Sequence, residues 1–181
     1  MRPLAIAVTG GIGAGKSESL AAFARRGVPT ISADEVVHRL IAEDPEVRAA
    51  LEARFGTTDR PRIAEIVFAD PGELAWLEAL LHPRVRREEE RWFESVDAPA
   101  AVTEIPLLYE TGGEARFDAV VLVTAPPEVR AARSGRGADG RAGRLIPDED
   151  KAARADFVYV NDGTLEELDA FVGSVLERLL A

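Results

Sequence analysis

The chain has no cysteine, which excludes disulfides and thiolate-bound metal centres. Its two histidines, His38 and His82, cannot build a zinc site without carboxylate help. Positive charge is scarce: 22 Lys and Arg face 32 Asp and Glu, a formal net charge of −10. Phosphate backbones and anionic lipid surfaces repel such a chain, so neither nucleic acid nor membrane is expected as a partner. No apolar run exceeds strand length, far short of a bilayer span. The first residues lead directly into an apolar run at Leu4, leaving no room for a signal peptide. These absences describe a soluble, cytoplasmic protein, expected as a monomer. What is present is 46% hydrophobic content over 181 residues, enough for one domain over 1–181 with a real core.

The most informative stretch is Gly10-Gly11-Ile12-Gly13-Ala14-Gly15-Lys16-Ser17. It fits G-x-x-x-x-G-K-[ST], the phosphate-binding P-loop. Leu4 to Val8 before it reads as a strand and Glu18 to Arg25 after it as a helix, the context the motif requires. Glycines let backbone N–H groups converge on phosphate oxygens, and the following helix adds its positive end. Gly11, Gly13, Ala14 and Gly15 are the expected cradle. Lys16 is expected to reach the β- and γ-phosphates, and Ser17 to ligate Mg²⁺. The implied ligand is a nucleoside triphosphate with Mg²⁺.

Apolar, β-rich segments recur at 4–8, 28–32, 101–105, 119–124 and 156–160, with helical patterns between. This alternation predicts an α/β fold, a parallel five-stranded sheet with helices on both faces. Residues 35–96 hold helical patterns and no convincing strand, which predicts a helical insertion able to cover an acceptor. Within it, Asp70-Pro71 is a helix start. Pro83 next to His82 predicts a break that puts the histidine at a corner. Trp76 and Trp92 read as packing residues. Thr164 and Glu167 form a capping box for the last helix, whose stripe of Leu165, Leu168, Phe171, Val172, Val175, Leu176 and Leu179 reads as core.

Other candidates carry two readings each. Asp34 follows the second strand, where carboxyl ends of strands face the ligand crevice. It is either an acid that orients or deprotonates an acceptor hydroxyl or a helix N-cap. Glu104, ending the third strand, either contacts a magnesium water or the acceptor, or is a paired strand-end acid. Arg130, Arg133, Arg136, Arg141 and Arg144 make a basic, glycine-rich island with Asp139 the only acid. It reads either as a lid over 134–146 closing on the transferring phosphates or as a solvated loop. Asn161-Asp162-Gly163 is a turn or a backbone contact to the nucleotide base. A guanine-reading Asn-Lys-x-Asp motif is missing, which disfavours a GTPase.

Taken together, these residues resemble the dephospho-coenzyme A kinase family. The resemblance rests on Val8 to Ser17, Ser32-Ala33-Asp34 with His38 one turn on, Leu80-Leu81-His82-Pro83, and Glu104 to Glu110. It continues through Arg133, Arg136, Arg144, Lys151, Ala155-Asp156 and Asn161-Asp162-Gly163. It implies ATP-dependent phosphorylation of the ribose 3′-hydroxyl of dephospho-coenzyme A. By carry-over, Asp34 is the base or orienting acid, and Lys16, Arg141 and Arg144 serve catalysis. Arg136 and Asn161 would bind ATP. His38, His82, Glu104, Pro106, Leu107 and Glu110 would hold the acceptor. The chain departs from the family pattern at Ser32, at Glu18, in a short lid, and at Pro147, where glutamine is common. Two other functions are weighed beside this one: a P-loop kinase for another small acceptor such as a nucleoside monophosphate, and a nucleotide-binding module without turnover.

Overall fold

The computed structural model describes residues 2–134 and 145–181. Five strands, β1 (Leu4–Thr9), β2 (Thr30–Ser32), β3 (Ala100–Glu104), β4 (Ala119–Thr124) and β5 (Phe157–Val160), form one sheet of order β2-β3-β1-β4-β5. Every pairing is parallel. The middle strands read as continuous apolar runs because both of their faces are covered. Ile6 and Val8 of β1 and Val121 and Val123 of β4 enter one core with Ala22, Phe23, Leu168, Val172 and Val175. Ala7 and Val120, pointing the other way, pack with Leu108 and Tyr109. At the edge, β5 alternates, leaving Val158 and Val160 exposed.

The helices are α1 (Lys16–Arg25), α2 (Ala33–Glu43), α3 (Pro45–Phe55), α4 (Arg60–Ala69), α5 (Pro71–Ser95), α6 (Pro127–Ser134), α7 (Asp148–Ala152) and α8 (Leu165–Leu180). The capping box forms as expected: Glu167 N–H donates to Thr164 Oγ1 at 3.3 Å, and Thr164 N–H donates to Glu167 Oε2 at 2.7 Å. Of the predicted apolar stripe of α8, Leu168, Val172 and Val175 are buried. Leu165 is the exception, 56% exposed in the first turn, ahead of the part of the helix that meets the sheet.

By contact density the chain divides into two units, 1–32 with 93–181, and 33–92. The second is helical, its interior built from Val36, Leu40, Ile41, Val47, Leu51, Ile63, Val67, Leu81 and Val85. Trp76 packs there, edge-on to Phe55 at 5.3 Å. Asp70 caps α5, accepting from Gly72 N–H at 2.7 Å. The expected break at Pro83 does not occur: α5 runs through it from Pro71 to Ser95. Proline costs a helix one N–H and crowds the preceding turn. Here buried Leu81 and Val85 hold the helix on either side. His82 is therefore mid-helix and half-buried. Among the described residues no helix is long and apolar enough to cross a membrane.

Candidate active site

The P-loop links the end of β1 to α1 at the carboxyl edge of the sheet, the edge where open parallel sheets bind ligands. Glycine is sterically required in this loop, as Gly13 and Gly15 illustrate. Gly13 has φ +74°, and a Cβ there would stand 2.5 Å from the Arg130 carbonyl oxygen. Gly15 has φ +100°, and a Cβ would meet the Asn161 amide. Gly15 also ends α1 without a side-chain cap, so the first N–H groups of α1 face the loop as an anion site. Lys16 Nζ donates to the Gly11 carbonyl at 3.1 Å, which folds its charge across the loop. Gly11 and Ala14 are buried.

Ser17 follows at the start of α1, its hydroxyl 3.5 Å from Glu104 Oε2. Glu104 is 6% exposed at the end of β3. It is in register with Val8 of β1 on one side and Ser32 of β2 on the other. A hydroxyl beside a carboxylate is a hard-oxygen donor set, the chemistry a divalent cation with phosphates requires.

Asn161 is buried. Its Nδ2 donates to the Ala14 carbonyl at 2.8 Å, its N–H to Thr124 at 2.7 Å, and its carbonyl accepts from Arg133 at 3.0 Å. Side chain and backbone of Asn161 together thus tie the loop to β4. Arg130 reaches the loop from α6, Nε donating to the Ile12 carbonyl at 3.0 Å. Its NH1 pairs with Asp148 at 3.0 Å. Arg130 and Arg133, read from sequence as lid arginines, both hold backbone here.

Pro106 and Leu107 are half-buried in the turns after β3. Glu110 is held in a buried ion pair, 2.7 Å from Lys151 Nζ, and accepts from Ile146 N–H at 3.2 Å. In the helical unit, Asp34 is the second residue of α2, so it lies inside the first turn rather than at the cap position. A carboxylate there is favoured by the helix dipole. His38 lies four residues on, on the same exposed face. His82 has its pKa pushed down by burial, with Glu78 pulling it up and Arg86 pushing it down, so the ring is neutral at pH 7. Arg136, Arg141, Arg144 and most of the 134–146 lid lie outside the described residues. Sequence reasoning gave no role to Thr124 or Asp148, and it saw the spacing of Arg130 but not what it holds.

A parallel sheet of this order, with a glycine loop, lysine and serine entering a helix at its carboxyl edge, defines a P-loop phosphotransferase. The sequence matches the dephospho-CoA kinase family over residues 4–167. It is 38% identical to the dephospho-CoA kinase of Bradyrhizobium diazoefficiens, with 97% of this chain and 95% of that one covered. With the enzyme of that name from Frankia casuarinae it shares 40% identity over 97% and 83%. Among solved structures, TT1252 from Thermus thermophilus superposes with a TM-score of 0.83 at 36% identity, covering 99% of both chains. A shikimate kinase from Aquifex aeolicus, at TM-score 0.59 and 16% identity over 97% and 98%, shares the fold alone. The chain belongs to the dephospho-CoA kinase family.

Proposed function

We propose that the chain transfers the γ-phosphoryl group of ATP to the ribose 3′-hydroxyl of dephospho-CoA, giving CoA and ADP. One observation carries the reading: a family match through residues 4–167 on a chain whose Lys16, Ser17 and Glu104 are gathered at the carboxyl edge of the sheet. Phosphoryl transfer asks for positioning and charge stabilisation more than covalent chemistry from the protein.

The loop N–H groups and Lys16 hold the β- and γ-phosphates. Ser17, with Glu104 behind it, is the group suited to hold Mg²⁺ brought with ATP. When bound, that ion would supply neutralisation of phosphate charge. Asp34 stands two residues of chain beyond Ser32, which is itself in register with Glu104. Its carboxylate accepts the proton of the 3′-hydroxyl as that oxygen bonds to the γ-phosphorus. The bond from phosphorus to the bridging oxygen breaks, and ADP leaves. Pro106 and Leu107, after β3, and His38 and His82, in the helical unit, are the acceptor contacts of this reading.

The test is ADP release from ATP and Mg²⁺ with dephospho-CoA, with AMP, with CMP and with no acceptor. Release that depends on dephospho-CoA supports the reading. Release with AMP or CMP alone, or with none, contradicts it.

A further inference from the structure

The P-loop is held from outside by side chains distant from it in the chain. Arg130 wraps the loop over three consecutive residues. A Cβ on Gly11 would fall on its guanidinium, its Nε donates to the Ile12 carbonyl, and its own carbonyl crowds the Cβ position of Gly13. The guanidinium is anchored in turn. Asp148 Oδ2, in the first turn of α7, accepts from Arg130 NH1 at 3.0 Å and from Thr124 Oγ1 at 2.6 Å. Thr124 ends β4, and its carbonyl takes the Asn161 N–H at 2.7 Å, while the Asn161 amide closes onto Ala14. Both halves of the loop are therefore tied to one residue of the sheet, the first through Arg130 and Asp148 and the second through Asn161.

We propose that Arg130, Asp148 and Thr124 form a clamp that presets the P-loop for the triphosphate, with Arg130 as a positioning residue rather than a phosphate contact. The proposal rests on the nucleotide-binding part of the function above and not on the identity of the acceptor. A loop already bent into its binding shape loses less freedom on binding, and charge-assisted hydrogen bonds are the strong ones. The planar fork of arginine spans a carbonyl and a carboxylate at once, which the single ammonium of lysine does not do.

The test is calorimetric titration with a non-hydrolysable imido analogue of ATP and Mg²⁺, acceptor absent. Unfolding temperature is recorded for each variant. Arg130→Met is expected to weaken binding about tenfold or more, and Arg130→Lys nearly as much. Asp148→Ala should weaken it less, and the Arg130→Met/Asp148→Ala pair no further than Arg130→Met alone, because the two act as one unit. In turnover assays the loss should appear in KM for ATP and leave KM for dephospho-CoA in place. Wild-type affinity in folded Arg130→Met overturns the clamp. So does full rescue by Arg130→Lys, which would mark a charge acting directly on phosphate, and so does additivity in the pair. If Arg130→Met does not fold, wild-type affinity in Asp148→Ala overturns it. Because the probe is a nucleotide alone, failure of the acceptor assignment leaves this test standing.

Discussion

The two units of the chain carry their functional groups in opposite ways. In the sheet unit nearly every candidate is tied down: Lys16 to Gly11, Ser17 beside Glu104, Asn161 to Ala14, Glu110 to Lys151. In the helical unit Asp34 and His38 are exposed on one face of α2, and His82 is half-buried in α5. Hydrogen bonds there build the frame instead, as in the pairing of Arg54 with Glu73 at 2.8 Å by two bonds. The difference teaches a division of labour. On the proposed function, the donor nucleotide meets a surface already shaped by backbone and buried polar contacts, while the acceptor is met by solvated side chains on helices.

The sharpest way to break that comparison is Lys16→Ala. Its charge serves bound nucleotide and transition state alike, so kcat/KM should fall on the order of 10³, with nucleotide affinity falling too. Unchanged nucleotide affinity would show that the sheet unit does not hold the donor. Next in size is Lys151→Met, which strands the Glu110 carboxylate in a buried site. It should cost about 3 kcal/mol of stability, read as a lower midpoint in urea. An unshifted midpoint would deny that the pair supports the segment after β3.

Asp34→Asn probes the other side. Turnover should drop about a hundredfold while binding of the ATP analogue holds, since the proposed role of the acid is toward the acceptor hydroxyl. Near-normal turnover would return Asp34 to a helix-dipole role. The smallest effect concerns pH. Burial lowers the folded-state pKa of His82 below its unfolded value of about 6.5. The folded chain then binds that proton less readily than the unfolded chain. Stability present above this pH is lost as the pH falls through it. His82→Gln should remove part of that acid-side loss, under about 1 kcal/mol because the ring is only half-buried. Unfolding temperatures of the two proteins compared from pH 7.5 to 5.5 would diverge only on the acid side. Parallel curves would place His82 in solvent.

The parts legible in the sequence are those written contiguously. The P-loop declares itself because glycine, lysine and serine must follow one another for the loop to curl and enter α1. The inner strands declare themselves because residues such as Val120 to Val123 are buried on both faces, and the Thr164 cap because its partner is three residues away. Pro83 misled because a proline taken alone predicts a break, whereas the packing of Leu81 and Val85 carries α5 through it. The contacts that join Arg130 to Ile12, and through Asp148 to Thr124, were beyond reach for another reason. Arg130 and Ile12 are 118 positions apart in the chain, and only the placement of β4 beside β1 brings them together. Glu110 and Lys151 both stood in recognisable motifs, yet nothing in either motif says that one neutralises the other.

The most direct test of the central claim is the identity of the product. ATP, Mg²⁺ and dephospho-CoA are incubated with the protein, and the product is separated and treated with a 3′-nucleotidase. The account predicts a product heavier by one phosphate that comigrates with CoA and reverts to dephospho-CoA on treatment. A chain that binds nucleotide but yields no such product, or phosphorylates AMP or CMP instead, would contradict it.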